Sequence, residues 1–484
     1  AGEHNPDFLE FVAVADIRPY NLKRIMIGDQ KVALRKGMNK IYGEKAKAIR
    51  RYTDWKKVLD DKDVEAVVIA LPLHLHAPVA IECMKAGKHV LCEKLMARTI
   101  GQCKDMIRAA KENKVVLSIG HQRHYSMLYA HAQAVVKSGL LGDVKHIRAL
   151  WHRNFSWPAS FSPQEWAPYF GGSLEKASQA AGVPEPKIRD GWYQPVLRGD
   201  VEGVEALAKE KGVDLNKFLA ECGYDSVEQL VRWRLYERTG GGLMAELGSH
   251  QLDAASIFLG KAKPLSVQGV GTKSFFGPNR NPREIDDHVF VTFEFPGKNY
   301  AQDKHDVVVV TYSSISTNGF EQYGECLMGT RGTMIVEGEQ KVMLYSEKDP
   351  TKKGDQRAMT IDVGAVKKDA AAADSSSTWG GPSAVAGAAK GGAPAVGGPV
   401  SRGYREEMED FAYCVRSWDR QLGYDKDKGG AYRQKRLPRC HGEVAMADAI
   451  IALTANLAMK GRGRIEFKPE WFDADKPDVP ETTA

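Results

Sequence analysis

The stretch Ala86–Leu95 reads AGKHVLCEKL. Gly87 has the character of a helix terminator, and His89 to Cys92 is a short, largely apolar run of strand length. An acid and an amine, Glu93 and Lys94, follow directly. In open parallel α/β sheets, ligands bind just past the carboxyl ends of the strands. A lysine at the end of a stiff strand can be held against a substrate and exchange a proton with it. The plain alternative is an exposed Glu-Lys pair without consequence.

Reading outward from this stretch, apolar strands alternate with helical patterns. FVAVAD (Phe11–Asp16) is a buried strand ending in an acid, a helix follows over about 40–51, and VEAVVIAL (Val64–Leu71) is a second strand. Helices over Ala77–Lys85 and Thr99–Asn113 flank the central strand, Thr99 and Gln102 form a capping box, and VVLSIG (Val115–Gly120) closes the series. Such alternation means βαβ units and a parallel sheet. Asp16 stands where a dinucleotide-binding fold places the acid that meets an adenosine ribose, although a turn or helix-capping aspartate fits the position equally. The glycine-rich phosphate turn that should precede Asp16 by about 20 residues is not in the sequence. The chain is therefore expected to be a piece of a longer one, with a strand-glycine-helix unit upstream. The near-match GVGTKSFFG (Gly269–Gly277) opens no helix and is rejected as a phosphate loop.

Composition narrows the classes. The 484 residues allow two domains or more, and 43% are apolar. The net charge of +6 is spread along the chain, with no basic run interleaved with aromatics, so no nucleic-acid partner is expected. Seven cysteines (83, 92, 103, 222, 326, 414 and 440) form no C-x-x-C pair, which argues against disulfides and against a metal site. No membrane partner is expected either: the most apolar run, Val444 to Met459, carries Asp448 and Asn456 and reads as an amphipathic packing helix.

From Asp143 the pattern changes to period-two alternation. Asp143–Asn154, Ile285–Phe295, Asp306–Ser314 and Thr333–Gly338 read as strands of one antiparallel sheet with a wet face. Between the first and second of these lies an insertion, 158–230, with helices at Val204–Lys211 and Leu215–Glu221 and a capping box at Asp225 and Glu228. The segment 363–400 is rich in Ala, Gly, Ser and Pro and is expected to be flexible or only locally ordered. The fold class is thus α/β: an N-terminal Rossmann-type parallel sheet over 1–125, then an α+β domain over 126–484 with an open, mostly antiparallel sheet and a returning helix at 440–460. An open sheet of this kind often covers its spare face with another subunit, so a homodimer or homotetramer is expected.

LPLHLHA (Leu71–Ala77), AGKHVLCEKL, GHQRHYS (Gly120–Ser126) and GGGLMAELGSHQLD (Gly240–Asp253) occur in this order. Together they resemble the glucose-fructose oxidoreductase, inositol dehydrogenase and rhizopine-catabolism (Gfo/Idh/MocA) family. The resemblance implies a Rossmann domain that binds NAD or NADP and a second domain that carries a sugar site. It places Lys94 at the family's catalytic lysine, His250 at its catalytic histidine, and Glu246 where aspartate is more usual. Pro72 and His76 match the cofactor-side turn, whereas Leu71 and Leu73 replace threonine and asparagine. Leu95 replaces the proline that usually follows Glu-Lys.

These placements give a chemistry. Removing a carbinol proton during hydride transfer needs a base with pKa near the working pH. Lys94 would gain that from burial and from the positive nicotinamide, and Glu93 is expected to point away from the amine, towards cofactor or backbone. His250 is the partner acid/base. Glu246, one helical turn back, is expected to hold its tautomer, and Asp253 to orient or charge-tune it. The cofactor side is expected to comprise Asp16, Arg18, Leu71, Pro72, His76, Glu93, Lys94 and Gln122. Arg123, His124, Tyr125, Trp151, His152, Arg153, Trp233 and Asp253 are the candidates for the sugar side, and no metal is expected. Asp16 favours NAD over NADP, with Arg18 as the counter-argument. The leading reading is an NAD-dependent dehydrogenase of a sugar, cyclitol or sugar derivative. A glycosidase or lyase that oxidises its sugar transiently, and a silent sugar- or partner-binding protein, are the alternatives. A cytoplasmic location is expected, unless a twin-arginine signal lies upstream of Ala1.

Overall fold

The computed structural model describes residues 3–28, 36–153, 192, 196–274, 283–347 and 401–482. Most of the segment 154–195 and all of 348–400 lie outside the described residues, and with them the Ala/Gly-rich stretch and the first part of the expected insertion.

The N-terminal lobe opens with β1 (Ala13–Ala15), α1 (Pro19–Ile27), the short α2 (Met38–Tyr42) and β2 (Arg50–Tyr52). It continues through α3 (Lys57–Asp60), β3 (Ala66–Ile69), α4 (His76–Lys85), β4 (His89–Glu93), α5 (Ile100–Asn113) and β5 (Leu117–Gly120). All strand pairs here are parallel: β1 with β2, and β3 with β4 with β5. The two sheets are not joined. The open edges of β1 and β3 face a common cleft of about 460 Å³, lined by Val12 to Asp16 on one wall and Ala66 to Leu71 on the other. Val68 is 43% exposed in that cleft, although its residue type suits a buried strand. Gly87, at φ +74°, supplies the left-handed turn that leads from α4 into β4. Thr99 accepts the Gln102 amide at 3.2 Å and caps α5.

After α6 (Met127–Lys137), β6 (Val144–His152) enters an eight-stranded sheet with β7 (Ser266–Thr272), β8 (His288–Pro296), β9 (Val307–Ile315), β10 (Tyr323–Gly329), β11 (Gly332–Glu337), β12 (Lys341–Ser346) and β13 (Ile465–Glu466). The order is β12-β11-β10-β6-β9-β8-β7-β13. Every pair is antiparallel except β6 with β9, which runs parallel at the centre. Val308, Val310, Tyr312 and Ser314 alternate inward along β9, the period-two pattern of a sheet with one buried face. β2, β7, β10, β12 and β13 were not read from the sequence, and Gly269 to Thr272 proves to be the end of β7.

The insertion contributes α7 (Arg198–Glu210), α8 (Leu215–Glu221) and α9 (Val227–Val231). The cap of α9 is Ser226, which accepts the Gln229 amide at 3.0 Å. The expected box at Asp225 and Glu228 was one residue out of register, because Ser226 adopts the extended conformation that a cap requires. Then follow α10 (Ser249–Phe258), α11 (Tyr404–Arg416) and α12 (Gly442–Gly461).

By length and composition, α12 is long and apolar enough to cross a membrane, but it is mostly buried: it is the packing helix that was expected, apolar on more of its circumference than an amphipathic one. Ala445, Met446, Ala449 and Ile450 join the core of the N-terminal lobe, while Ile451, Ala455 and Ala458 join that of the sheet domain. A helix apolar on all sides is what a position between two cores demands. Through α12 the two lobes share one packed interior, and the candidate site lies where they meet.

Candidate active site

Lys94 stands just past the carboxyl end of β4, with its peptide to Leu95 in the cis form. Its Nζ donates to two backbone carbonyls of the other lobe, Glu246 O at 2.8 Å and Ala245 O at 3.3 Å. Those carbonyls belong to a π-helical turn, Met244–Gly248, directly before α10. In a π turn the hydrogen-bonding pattern is widened, which leaves carbonyls open to an outside donor, and such turns are frequent at functional sites. The preceding glycines bring the turn in: a Cβ on Gly241 would lie 2.8 Å from Leu73 of the opposite loop and 2.4 Å from Ala245. Burial lowers the pKa of Lys94, and the nearby Glu246 and Glu93 carboxylates only partly counter it. Glu93 Oε2 accepts the Lys94 backbone N–H at 3.2 Å, so this acid folds back on the chain. Burial raises its pKa.

His250 is the second residue of α10 and is 5% exposed. Its ring lies tilted on Trp151 with centroids 5.5 Å apart, and Trp151 stacks on Tyr323 at 4.6 Å. Its carbonyl accepts from the Arg123 guanidinium. Burial, then the charges of Lys94 and Arg123, hold its pKa well below the usual range. A neutral imidazole, one donor and one acceptor, is the form present at neutral pH.

Several expected roles are corrected by the geometry. Glu246 does not hold the His250 tautomer: its Oε2 accepts Arg234 Nε at 2.8 Å. The wide π turn breaks the simple four-residue register between positions 246 and 250. Burial raises the Glu246 pKa, but Arg234 and Lys94 outweigh it and keep the group ionised. Asp253 turns away from the site into a buried ionic cluster, accepting His124 Nε2 at 2.8 Å and Lys261 Nζ at 2.7 Å. Arg123 does not line a sugar pocket; it is 1% exposed and pairs with Glu325 at 3.0 Å and Glu339 at 2.7 Å. Gln122 donates to the same Glu339 at 3.2 Å and so faces the sheet domain, not a cofactor. Tyr125 is buried, with its hydroxyl accepting the Cys440 amide at 3.2 Å. His76 places its two ring nitrogens 2.8 Å from Leu71 O and Leu95 O and ties those loops together.

The remaining candidates stay near the junction. Leu71 and Pro72 form the loop after β3, where Pro72 O accepts the Leu75 amide at 2.9 Å. Arg153 lies over the Trp151 ring at 4.6 Å, and Arg234 over Trp233 at 4.0 Å. His152 is engaged by Ser313 at 2.8 Å and by Phe320 O at 2.9 Å. Asp16 is tied to the start of α1: Oδ1 accepts the Arg18 amide at 2.8 Å and Oδ2 accepts Asn21 Nδ2 at 2.9 Å. Arg18 itself is bound by Asp200. Arg234 and Asp200 were not singled out from the sequence, because each acts through a partner on another element that no local pattern reveals.

Among the described residues, His124, Cys440 and Asp448, and also His121, Asp253 and Asp448, bring donor atoms within 4.8 Å of one another. The Lys261 ammonium already bridges Asp253 and Asp448, at 2.7 Å and 3.0 Å, and fills the place of a cation. A nicotinamide dinucleotide fits better what lies past the strand ends. Asp16 keeps acceptor capacity on both oxygens after its two bonds, and Lys94 has one N–H position without a partner among the described residues. A phosphate-binding glycine turn is not among the described residues.

Comparison with known proteins agrees with this arrangement. Residues 2–121 match the family model described as "Oxidoreductase family, NAD-binding Rossmann fold", and residues 208–335 match the "GFO/IDH/MocA C-terminal domain". Together the two matches span just over half of the chain. The chain belongs to the Gfo/Idh/MocA oxidoreductase family, and its first domain is an NAD-binding Rossmann domain. It is 34% identical over 127 residues to a levoglucosan dehydrogenase of Pseudarthrobacter phenanthrenivorans, covering 25% of this chain and 32% of that protein. It is 32% identical over 114 residues to an inositol 2-dehydrogenase of Salmonella typhimurium, covering 23% and 34%. The aligned stretches thus span about a third of the length of these relatives. In fold, the chain is similar to a levoglucosan dehydrogenase in complex with NADH and levoglucosan, with TM-score 0.54, 16% identity, and coverage of 94% of this chain and 90% of the other. An aldose-aldose oxidoreductase from Caulobacter crescentus gives TM-score 0.53 and 15% identity, with 94% and 98% covered.

Proposed function

We propose that this chain is an NAD-dependent dehydrogenase of a sugar, cyclitol or related polyol, with Lys94 and His250 sharing the proton transfer at one carbinol. Bound NAD supplies the hydride acceptor. The observation that carries the reading is the seating of Lys94: two carbonyls from the other lobe take two of its N–H bonds, so only its third position is open to a substrate hydroxyl. In the neutral amine that position is a lone pair, and burial increases the neutral fraction. The neutral His250 can accept from or donate to the same hydroxyl or its neighbour. Arg153, seated over the buried Trp151 ring, offers a charged group suited to hydroxyls.

The relatives, a levoglucosan dehydrogenase and an inositol 2-dehydrogenase, act on a sugar anhydride and a cyclitol by their names, which supports this substrate class. A panel of sugars and cyclitols assayed for bulk NADH tests the reading. Substrate-dependent NADH formation supports it. A second reading is kept because a "Glycosyl hydrolase family 109 protein" from Stenotrophomonas maltophilia is 32% identical over 143 residues. Release of an aglycone without net NADH would favour that chemistry and sink the first.

A further inference from the structure

The insertion places a second acid beside the end of β1. Helices α7 to α9 enclose a small core of Val204, Phe218, Leu219, Tyr224 and Leu230, which rests on Ile17 and Leu75, residues just past β1 and β3. Asp200, in the first turn of α7, is fully buried. Its Oδ2 accepts both Nη2 of Arg18 at 2.6 Å and Nε at 3.1 Å. Its Oδ1 has no hydrogen-bond partner among the described residues. Asp200 lies outside both stretches matched by the family models.

We propose that Asp200 sets the choice of cofactor: by clamping and neutralising Arg18 beside Asp16, it makes the site take NAD and reject NADP. This rests on the NAD-dehydrogenase reading above. An arginine near the strand-end acid is what accommodates a 2′-phosphate in a Rossmann fold. Here that guanidinium is already neutralised by a buried carboxylate. Asp16, Asp200 and Arg18 together leave one net negative charge where the phosphate would sit, and a phosphate is repelled by it.

The test is equilibrium binding of NAD⁺ and NADP⁺ to the full-length protein, read by calorimetry. Asp200→Asn should free Arg18 and strengthen NADP⁺ relative to NAD⁺, moving the ratio of their dissociation constants by about 10-fold or more, the worth of one charge-assisted hydrogen bond. Adding Arg18→Gln should abolish the gain in NADP⁺ affinity. Equal weakening of both nucleotides in Asp200→Asn, with the ratio unchanged, would show a purely structural ion pair and overturn the proposal. If Asp200→Asn does not fold, Arg18→Gln alone decides: an unchanged ratio supports a clamped arginine, and a selective loss of NADP⁺ binding refutes it. Wild-type protein that binds neither nucleotide would instead overturn the dehydrogenase reading itself.

Discussion

Lys94 Nζ and the carbonyl of Glu246 are 2.8 Å apart across the junction of two lobes, joined by residues 152 positions apart in sequence. The amine that would take a substrate proton is therefore held by the backbone of the domain that would hold the substrate. The packing of the lobes and the positioning of the base are thus tied together.

The first prediction follows from that seating. Lys94→Met and His250→Gln should each lower kcat by about 10²- to 10⁴-fold, the usual contribution of a positioned acid or base. The Lys94 ammonium is not the core of either lobe, so the melting temperature of Lys94→Met should stay close to that of the wild type. Steady-state rates near normal in either variant would remove the acid-base assignment.

A second prediction concerns pH. The Glu246 carboxylate raises the Lys94 pKa, while burial lowers it by more. In Glu246→Gln the raising influence is lost, and Arg234 is left without its counter-charge. The Lys94 pKa then falls further, so the neutral amine appears at lower pH. The rising limb of kcat/KM for alcohol oxidation should move to lower pH in the variant. A limb that stays in place, or moves up, would mean that another group controls it.

The sequence disclosed the parts of this site that depend on local pattern, and missed those that depend on distance. The place of Glu93 and Lys94 at a strand end was legible because a short apolar run after a glycine stop suits a strand. The helix that carries His250 was legible from the glycine-rich entry before it. Glu246 was misassigned because the π turn at Met244–Gly248 leaves no mark in composition, yet it breaks the register that an α-helix would give. Arg123 and Tyr125 looked like pocket residues because Arg and Tyr suit carbohydrates. Their burial was fixed by Glu325, Glu339 and Cys440, more than 190 residues away. The parallel pairing of β6 with β9 was equally invisible, since alternation along a strand says nothing about the direction of its neighbour.

Arg123 gives a third prediction. It is the cation between two buried carboxylates, and burial pushes the Glu325 pKa up to about 7 even with Arg123 present. In Arg123→Met Glu325 loses its counter-charge and keeps only the Tyr129 hydroxyl, and breaking a buried pair in this way costs about 3–5 kcal/mol. The cost should shrink at lower pH, because a protonated Glu325 needs no counter-charge. Urea denaturation at pH 8 and pH 5.5 checks this: the variant should lose more stability, relative to wild type, at pH 8. An equal loss at both values would place the effect in packing alone.

The last prediction is acid sensitivity centred on His121. This residue is 1% exposed, and neither ring nitrogen has a hydrogen-bond partner among the described residues, although Nδ1 lies 3.7 Å from an Asp253 oxygen. Burial pushes its pKa down to about 4, against the pull of the Asp253 carboxylate. The unfolded chain takes a proton near the ordinary value of 6.5, while the folded chain does not until pH is near 4. The stability that the neutral ring supports is therefore present above pH 6.5 and is lost as pH falls through that window, by about 3 kcal/mol in all. His124 offsets this only near the top of the window: the Asp253 carboxylate outweighs burial and holds its folded pKa well above 6.5, while the unfolded chain takes up that proton around 6.5, so that below about pH 5.5 it is protonated in both states. Stability measured by denaturant titration should fall between about pH 5.5 and 4, and His121→Asn should flatten that slope by close to one proton. An identical slope in the variant would show that other groups take up the protons.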